Sequence, residues 1–279
     1  MCCSAALPRG MKVCSSRPTT ATPRSTSTSN CMRPISMLAV VMYHDVVPDG
    51  GKYANTPHLL HAHLRYVRDN YPVVLPGEPL QPNKLSVCLT FDDAHVGFYH
   101  FVYPILREMG LRALVSVSTD VIQDSVVVPM SDRLKVSSQA GRKGNTASFC
   151  SWGELREMQD SGVAQIACHS AGHQNLTGPD VDLDREIPGP GQIIADHLGR
   201  FPNTYVYPSG LVNRRIDRLT ARHYTYRMRI GAALNRGWRN PGGGPLYRLQ
   251  GDALRDERGP LQATWKPRLR YYWNILRGR

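Results

Sequence analysis

The sequence lacks any long hydrophobic run. Its longest uninterrupted apolar stretch, residues 37–43, has seven residues, whereas a helix that spans a bilayer needs about 20. The sequence therefore argues against a transmembrane protein. No short period repeats along the 279 residues, which argues against a solenoid or a propeller.

Cysteine pairs with C-x-x-C spacing are also absent. The chain has seven cysteines, an odd number, and a disulfide framework normally uses an even one. Cys88, Cys150 and Cys168 lie in or beside apolar stretches. We therefore expect these three to be buried free thiols, either in a reducing compartment or simply unpaired.

Acidic side chains are scarce relative to basic ones. Lys+Arg number 34 against 22 Asp+Glu, which gives a net charge of +12. Such a surplus suits a basic groove for nucleic acid or an acidic glycan, or it reflects genome composition and a solvated surface. Because no basic-aromatic module stands out, we expect no nucleic-acid partner. Peripheral contact with an anionic envelope or membrane surface stays open.

The N-terminal segment has no acidic residue at all, since the first one along the chain is Asp45. Residues 15–30 consist almost entirely of Ser, Thr, Pro, Arg and Ala, a composition that cannot offset the entropy lost on ordering. We expect residues 1–34 to be disordered, either as a transit-like leader or through a mis-assigned start. They lack the apolar core of a secretory signal, which leaves a cytoplasmic or an envelope-associated location open.

From residue 37 onward, short apolar runs alternate with helical patterns. We predict strands over 37–43, 71–75, 85–91, 113–118, 163–168, 203–207 and 224–230, and helices over 57–70, 98–109, 151–162, 183–199 and 212–222. Pro188 and Pro190 should interrupt the fourth helix. The alternation predicts an α/β domain over residues 35–250, with a parallel sheet or barrel, and a basic tail over 251–279.

Polar residues follow three of these strands where each strand ends. They are Asp92-Asp93, His169 with His173, and Tyr207-Pro208-Ser209-Gly210. In parallel α/β folds, the carboxyl ends of the strands carry the chemistry. We therefore expect the three groups to meet at one site.

The two histidines and the two aspartates together predict a catalytic metal site. Histidines four residues apart can bind one ion. Adjacent Asp92 and Asp93 point in different directions, so one carboxylate can bind the metal while the other faces the substrate. Such a metal polarises a carbonyl and lowers the pKa of water, and the spare aspartate can act as general base. The predicted reaction is hydrolysis of an amide or an ester.

The same motifs resemble those of the polysaccharide deacetylases (carbohydrate esterase family 4, NodB homology domain). Residues 90–94, Thr-Phe-Asp-Asp-Ala, resemble T-F-D-D-G, and residues 169–173 resemble H-S/T-x-x-H. Residues 207–210 resemble an aromatic-Pro-x-Gly turn that lines the groove. Residues 43–46, Tyr-His-Asp-Val, resemble the start of the poly-β-1,6-N-acetylglucosamine N-deacetylase branch. The resemblance spans about residues 37–230.

This resemblance implies a distorted (β/α) barrel that removes N-acetyl groups from an N-acetylglucosamine-containing glycan. It makes Asp92 the catalytic base. The implied ligands of a divalent metal, zinc with cobalt or nickel as substitutes, are Asp93, His169 and His173. The implied substrate-binding residues are Tyr207, Pro208, Ser209 and Gly210. The chain departs from the family at Ala94, where glycine is usual, at Ser209, and at the Pro-rich residues 188–191.

The family's late L-x-H motif, which often supplies the proton donor, has no counterpart in this sequence, because no histidine follows residue 230. Amide cleavage requires a proton on the departing nitrogen, and a histidine suits that task. His44 ends the first strand at the same rim, and Asp45 beside it could orient or charge its ring. We predict His44 as the general acid, with His95 as the rival. A structural or substrate-binding role for His44 stays open.

Two other functions share parts of this pattern. Strand-end aspartates with Mg²⁺ serve phosphotransfer, but haloacid dehalogenases place them as D-x-D, and response-regulator receivers do not need His169 and His173. A non-catalytic glycan-binding homologue is the second alternative. A zincin is excluded, because H-E-x-x-H would need Glu at residue 170, which is Ser.

Overall fold

A computed structural model describes residues 36–136 and 143–277. The expectation that residues 1–34 are disordered lies outside the described residues. The strands are β1 (Met37–Tyr43), β2 (Asp45–Val46), β3 (Ala54–Asn55), β4 (Leu85–Phe91), β5 (Ala113–Val117), β6 (Ala164–Cys168), β7 (Thr204–Val206), β8 (Tyr226–Ile230) and β9 (Leu246–Gln250).

The α-helices are α1 (Pro57–Asn70), α2 (Tyr103–Met109), α3 (Met130–Arg133), α4 (Trp152–Asp160), α5 (Leu183–Glu186), α6 (Pro188–Leu198), α7 (Arg214–Thr220) and α8 (Trp265–Leu276). A π-helical turn over Phe98–Val102 leads into α2, and 3₁₀ turns cover Thr119–Val121, Thr146–Ser148, Pro208–Gly210, Pro241–Gly243 and Gly259–Leu261. No helix in the described ranges has the length and apolar character needed to cross a bilayer.

Seven strands close into a parallel barrel in the order β1-β4-β5-β6-β7-β8-β9, and β9 pairs back with β1. This confirms the predicted distorted (β/α) barrel, which has one strand fewer than the regular eight-stranded form. The strand predicted over residues 71–75 is wrong, because that segment meets β4 only through a single bridge between Val73 and Val87. The strand that closes the barrel, β9, was not predicted.

The strands are apolar on both faces because both faces are buried. Along β1, Leu38 and Val40 fill the barrel interior, whereas Ala39 and Val41 pack outward beneath the helices. A parallel barrel strand therefore appears in sequence as a continuous apolar run rather than as an alternating one. The prediction that Cys88, Cys150 and Cys168 are buried free thiols is confirmed.

Helices α1 and α4 each begin directly after a residue that caps them. The Thr56 side chain accepts a hydrogen bond from the Leu59 amide at 3.3 Å, and Pro57 occupies the first turn of α1. Ser151 and Glu154 form a reciprocal capping box at the start of α4. Proline is tolerated at a helix start because its missing N–H would have no intrahelical partner there.

The helix predicted over residues 183–199 divides at Ile187 into α5 and α6. Pro188 and Pro190 both lie in the first turn of α6, where they break no intrahelical hydrogen bond. The interruption predicted from the prolines is therefore a new helix start. Gly191 follows them and packs against Phe201 and Tyr224, so closely that a Cβ atom would overlap the Phe201 ring and the Tyr224 hydroxyl.

The prediction of a basic tail over residues 251–279 is wrong for the described part. Asp252 is buried, and α8 packs on the barrel through Tyr271, which is 2% exposed. The sequence pattern did not indicate a helix there, because the apolar residues of α8 are interleaved with basic ones. Such a composition resembles that of a solvated tail.

We predict that Gly191→Ala lowers the stability of the fold. The added methyl group must displace Phe201 or the Tyr224 hydroxyl, which is held by the Ile187 carbonyl at 2.7 Å. The cost of overpacking exceeds the gain in helix propensity, so the free energy of unfolding should fall by about 1–2 kcal/mol. This corresponds to a decrease of roughly 2–8 °C in Tm. Thermal unfolding followed by circular dichroism measures it.

The matched control is Gly189→Ala in the same helix. A Cβ atom there first meets the Asp184 carbonyl oxygen at 3.4 Å, so stability should stay unchanged or rise slightly. Equal Tm values for the two variants would contradict the close packing at Gly191.

Candidate active site

The candidate site lies at the carboxyl ends of the barrel strands. His44, Asp92, His169 and Arg248 each follow an interior apolar side chain by an even number of residues, so the inward alternation carries all four toward the barrel axis. They border one cavity of about 470 Å³. The cavity is lined by Met42, His44, Tyr53, Asp92, Asp93, His95, His169, His173, Ser209, Ile230, Arg248 and Gln250.

Three of these residues form a candidate metal centre. Asp93, His169 and His173 each offer a ligand atom, and these atoms lie within 4.8 Å of one another. Asp93 Oδ1 lies 3.6 Å from His169 Nε2 and 3.7 Å from His173 Nε2. Ligands about 2.0–2.2 Å from a tetrahedral zinc ion have separations close to these. The structure thus brings together the three predicted ligands.

The hydrogen bond of His169 prepares its ring for a metal. His169 Nδ1 lies 2.7 Å from the Val206 carbonyl oxygen, and only an N–H can donate to that acceptor. The proton therefore sits on Nδ1, and the lone pair of Nε2 faces Asp93. Burial lowers the pKa of His169, which favours the neutral imidazole that binds metals.

His95, the rival acid, lies on the metal side of the site. Its Nε2 is 3.5 Å from Asp93 Oδ2, and its buried ring stacks on Phe149 with a centroid distance of 5.1 Å. His95 thus contacts the carboxylate oxygen that faces away from His169 and His173. This position suits the orientation of a metal ligand better than proton delivery across the cavity.

Asp92 is held by a cation that the sequence analysis missed. Arg248 Nη1 and Ser116 Oγ each donate to Asp92 Oδ1 at 2.8 Å. Burial alone would raise the pKa of Asp92, but the charge and hydrogen bond of Arg248, together with the charge of His44, hold it well below its usual range. The Asp92 carboxylate is therefore ionised inside the barrel.

His44 faces Asp92 across the cavity and pairs with a second carboxylate. His44 Nε2 lies 3.9 Å from Asp92 Oδ2, and His44 Nδ1 lies 2.6 Å from Asp252 Oδ2. Burial acts to lower the pKa of His44, but the hydrogen bond to Asp252 and the nearby carboxylates raise it to about 9. The predicted partner Asp45 is wrong, because its carboxylate accepts from the Val46 amide instead.

Gly251 brings Asp252 to this position. Its amide donates to the Met42 carbonyl at 2.7 Å, which continues the pairing of β9 with β1. A Cβ atom at Gly251 would lie 2.5 Å from the Tyr43 ring, so only glycine allows the two strands this approach. The His44 amide then donates to Asp252 Oδ1 at 2.8 Å.

Of the four predicted substrate-binding residues, Ser209 lines the cavity. The Tyr207 side chain is buried and donates to Asp217 Oδ1 at 2.8 Å. Pro208 and Gly210 are buried too. The direct substrate contact predicted for Tyr207 does not fit this placement, because its hydroxyl is bonded to α7 outside the cavity.

Residues with strained backbone conformations are concentrated at the site. Eight non-glycine residues in the described part of the chain have positive φ, and five of them are Asp93, Ala94, Ser170, His173 and Ser209. Such conformations cost energy and persist where the surrounding structure enforces them. Ala94, with φ of 52°, occupies the position where glycine is usual, and its left-handed conformation explains that preference.

Known proteins are similar to this chain in sequence and in fold. YxkH of Bacillus subtilis (strain 168) is 22% identical over 186 residues, which cover 63% of this chain and 58% of that protein. The chain thus spans less than two thirds of the length of this relative. BC0361, a polysaccharide deacetylase from Bacillus cereus, superposes with a TM-score of 0.66 at 18% identity, covering 80% of this chain and 67% of the other.

A second solved structure, the Streptococcus pyogenes deacetylase PplD in complex with acetate, has a TM-score of 0.65 at 19% identity and covers 82% of this chain and 99% of the other. These structural likenesses show the fold. The polysaccharide deacetylase family itself matches residues 80–228, slightly more than half of the sequence. The chain therefore belongs to the polysaccharide deacetylase family.

Proposed function

We propose that this protein is a metal-dependent hydrolase that removes N-acetyl groups from an N-acetylglucosamine-containing glycan. The observation that carries the proposal is the arrangement around one cavity. An ionised carboxylate, Asp92, and a charged imidazole, His44, face each other beside the Asp93–His169–His173 cluster. Metal-assisted amide hydrolysis uses three components of this kind: a base, an acid and an electrophile.

Asp92 is the proposed general base. Its Oδ1 is occupied by Arg248 and Ser116, which leaves Oδ2 on the side of His44 and the cavity. An ionised carboxylate with a free lone pair accepts a proton from the attacking water. Arg248 and Ser116 fix the carboxylate plane, so the accepting oxygen is oriented before the substrate binds.

Asp93, His169 and His173 are the proposed metal ligands. Two imidazoles and one carboxylate, with a buried hydrogen bond setting the His169 tautomer, fit Zn²⁺ and leave a position open. A divalent cation held there supplies Lewis-acid chemistry: it polarises the acetyl carbonyl and lowers the pKa of water. Cobalt or nickel should substitute, since imidazole also suits these metals.

His44 is the proposed general acid. With a pKa raised to about 9, its ring carries a proton at neutral pH. Asp252 accepts from Nδ1, which directs Nε2 toward the cavity and Asp92. The proton on Nε2 can then pass to the nitrogen that leaves as the amine.

The proposed substrate class is inferred from the side chains at the mouth of the cavity. The Tyr53 ring borders it beside His44, at a centroid distance of 5.9 Å, and is 58% exposed. An exposed aromatic ring beside polar side chains suits a sugar, which has both apolar C–H faces and hydroxyl groups. The Tyr43-His44-Asp45-Val46 start favours a poly-β-1,6-N-acetylglucosamine-like polymer.

The phosphotransfer alternative suits the site less well. It requires the strand-end aspartates to hold Mg²⁺ through oxygen ligands. Here Asp92 pairs with Arg248, and Asp93 faces His169 and His173. Imidazole ligands favour zinc-type metals over magnesium.

We predict that the purified protein releases acetate from N-acetylglucosamine oligomers when Zn²⁺ or Co²⁺ is supplied. His169→Ala/His173→Ala should lose most of the bound metal and the activity, because two of three ligands are removed. Metal analysis and an acetate assay measure both effects. The matched control is Asp92→Asn, which should keep the metal and lose turnover, because an amide cannot accept the proton.

Full stoichiometric zinc in the double histidine variant would contradict the ligand assignment. Metal binding without acetate release, from these oligomers or from peptidoglycan, would instead indicate the non-catalytic glycan-binding alternative.

We predict that His44→Ala distinguishes amide from ester substrates. Loss of a general acid should lower kcat for the N-acetyl substrate by about 10²- to 10⁴-fold. An activated acetate ester should lose much less, because its leaving group needs no proton. Equal losses for the two substrates, measured with metal content unchanged, would show that His44 is not the acid.

We predict that Asp252→Asn shifts the basic limb of the pH–rate profile. The acid form of His44 is needed, so wild-type activity should fall as the pH rises through about 9. Without the Asp252 charge, the pKa of His44 should fall toward 6.5, its ordinary value, and the limb should move to lower pH. Activity at pH 6 should fall much less than activity at pH 8. Glu257→Gln, which removes a charge from the same loop, should leave the profile in place.

A further inference from the structure

Helix α8 presents an apolar surface to solvent. Its large exposed side chains fall within an arc of about 100° around the helix axis, at 3.6 residues per turn. They are Trp265 (61% exposed), Leu269 (62%), Tyr272 (51%), Trp273 (50%) and Leu276 (81%). We call these five residues the outer stripe. They include half of the four tryptophans in the chain.

The opposite face of α8 is already used for packing. Tyr271 packs edge-on against Tyr247, and Asn274 Nδ2 donates to the Gly231 carbonyl at 3.0 Å. The Pro267 carbonyl accepts from the Leu234 amide at 3.2 Å. The core contacts of α8 are made on this side. Of the outer stripe, Tyr272 borders a groove with Met37 and Leu85, and the five side chains stay half exposed or more among the described residues.

Basic side chains flank the outer stripe on both sides. Lys266, Arg270 and Arg277 lie along one edge and Arg268 along the other, and residues 265–277 contain no acidic residue. The Lys266 ammonium lies 5.5 Å from the Trp265 ring centroid, and the Arg277 guanidinium 4.3 Å from that of Trp273. Tryptophan, tyrosine and leucine between rows of cations are typical of helices that lie in a bilayer interface.

We propose that α8 binds the surface of an anionic lipid bilayer, with the outer stripe in the interface and the flanking cations at the lipid headgroups. The charge of the helix selects this occupant. A second copy meeting the same face would place like charges opposite each other. A purely polyanionic chain would pair with the cations but would leave Leu269 and Leu276 in water.

The position of α8 connects this surface to the active site. Gly231, which accepts from Asn274, directly follows Ile230, and Ile230 lines the cavity. The last turn of α8 therefore lies beside the rim that carries Asp92 and His44. A helix lying on a bilayer would hold the mouth of the cavity close to the lipid headgroups.

Vesicle binding of the full chain tests the proposal. We expect the protein to co-sediment with vesicles of phosphatidylglycerol and phosphatidylcholine in equal parts, to bind pure phosphatidylcholine vesicles much more weakly, and to dissociate as salt is added. Lys266→Gln/Arg270→Gln/Arg277→Gln should weaken binding by about 100-fold, at about fivefold per removed cation. Arg107→Gln/Arg214→Gln/Arg222→Gln removes the same charge from exposed sites elsewhere and should change binding much less.

Insertion of the outer stripe is tested separately. Brominated lipids should quench the tryptophan fluorescence of the wild type on binding. Trp265→Ser/Trp273→Ser should abolish the quenching and weaken binding, whereas Val127→Ser/Leu211→Ser, a pair of exposed apolar residues elsewhere, should not. Far-ultraviolet circular dichroism confirms that each variant is folded, and acetate release is not needed for any readout.

Three results would overturn the proposal. Binding that persists unchanged in both α8 variants would place the lipid contact elsewhere in the chain. Self-association that Leu269→Ser abolishes, without vesicle binding, would make the outer stripe a contact between copies. Binding to a soluble polyanion but not to vesicles would show that only the cations are used.

Discussion

The site depends on the charge of Arg248 inside the barrel. Asp92 is 2% exposed and Arg248 is 1% exposed, so neither could stay ionised there alone without a large desolvation cost. Arg248 Nη1 donates to Asp92 Oδ1 at 2.8 Å, so the two charges compensate each other, and Ser116 adds a second donor to the same oxygen. A buried pair of this kind contributes little net stability. Its consequence is chemical, because it keeps a carboxylate ionised and oriented at the rim.

Closure of the barrel supplies this arrangement. The pairing of β9 with β1 places Arg248 opposite Val40, so its side chain lies inside the barrel. There it reaches Asp92, which directly follows β4, the strand on the other side of β1. The same strand continues through Gly251 to Asp252, which holds His44. One C-terminal strand therefore provides the partner of the proposed base and the partner of the proposed acid. The proposed acid, His44, precedes the barrel strand β4 in sequence, whereas the family's histidine motif comes late in the chain.

The sequence predicted the parts of this structure that local patterns determine. The continuous apolar runs of β1 and β4 predicted barrel strands correctly. The spacing of His169 and His173 predicted that the two rings lie together, and the structure brings both beside Asp93. The strand β9 was missed because Arg248 and Gln250 face the cavity from inward positions, and they break the apolar run that marks the other strands. The pairing of His44 with Asp252, 208 residues apart, has no local signature, so the adjacent Asp45 was preferred wrongly.

The charges around the cavity explain why a divalent cation suits this site. Asp92, Asp93 and Asp252 carry three negative charges, and Arg248 and protonated His44 carry two positive ones, so these side chains alone have a net charge of −1. A buried net negative charge is costly, and it would oppose the negative charge that develops on an amide oxygen during hydrolysis. With a doubly charged ion among Asp93, His169 and His173, the net charge becomes +1, which favours that developing charge. The proposed base, the proposed acid and the candidate metal cluster are thus electrostatically interdependent.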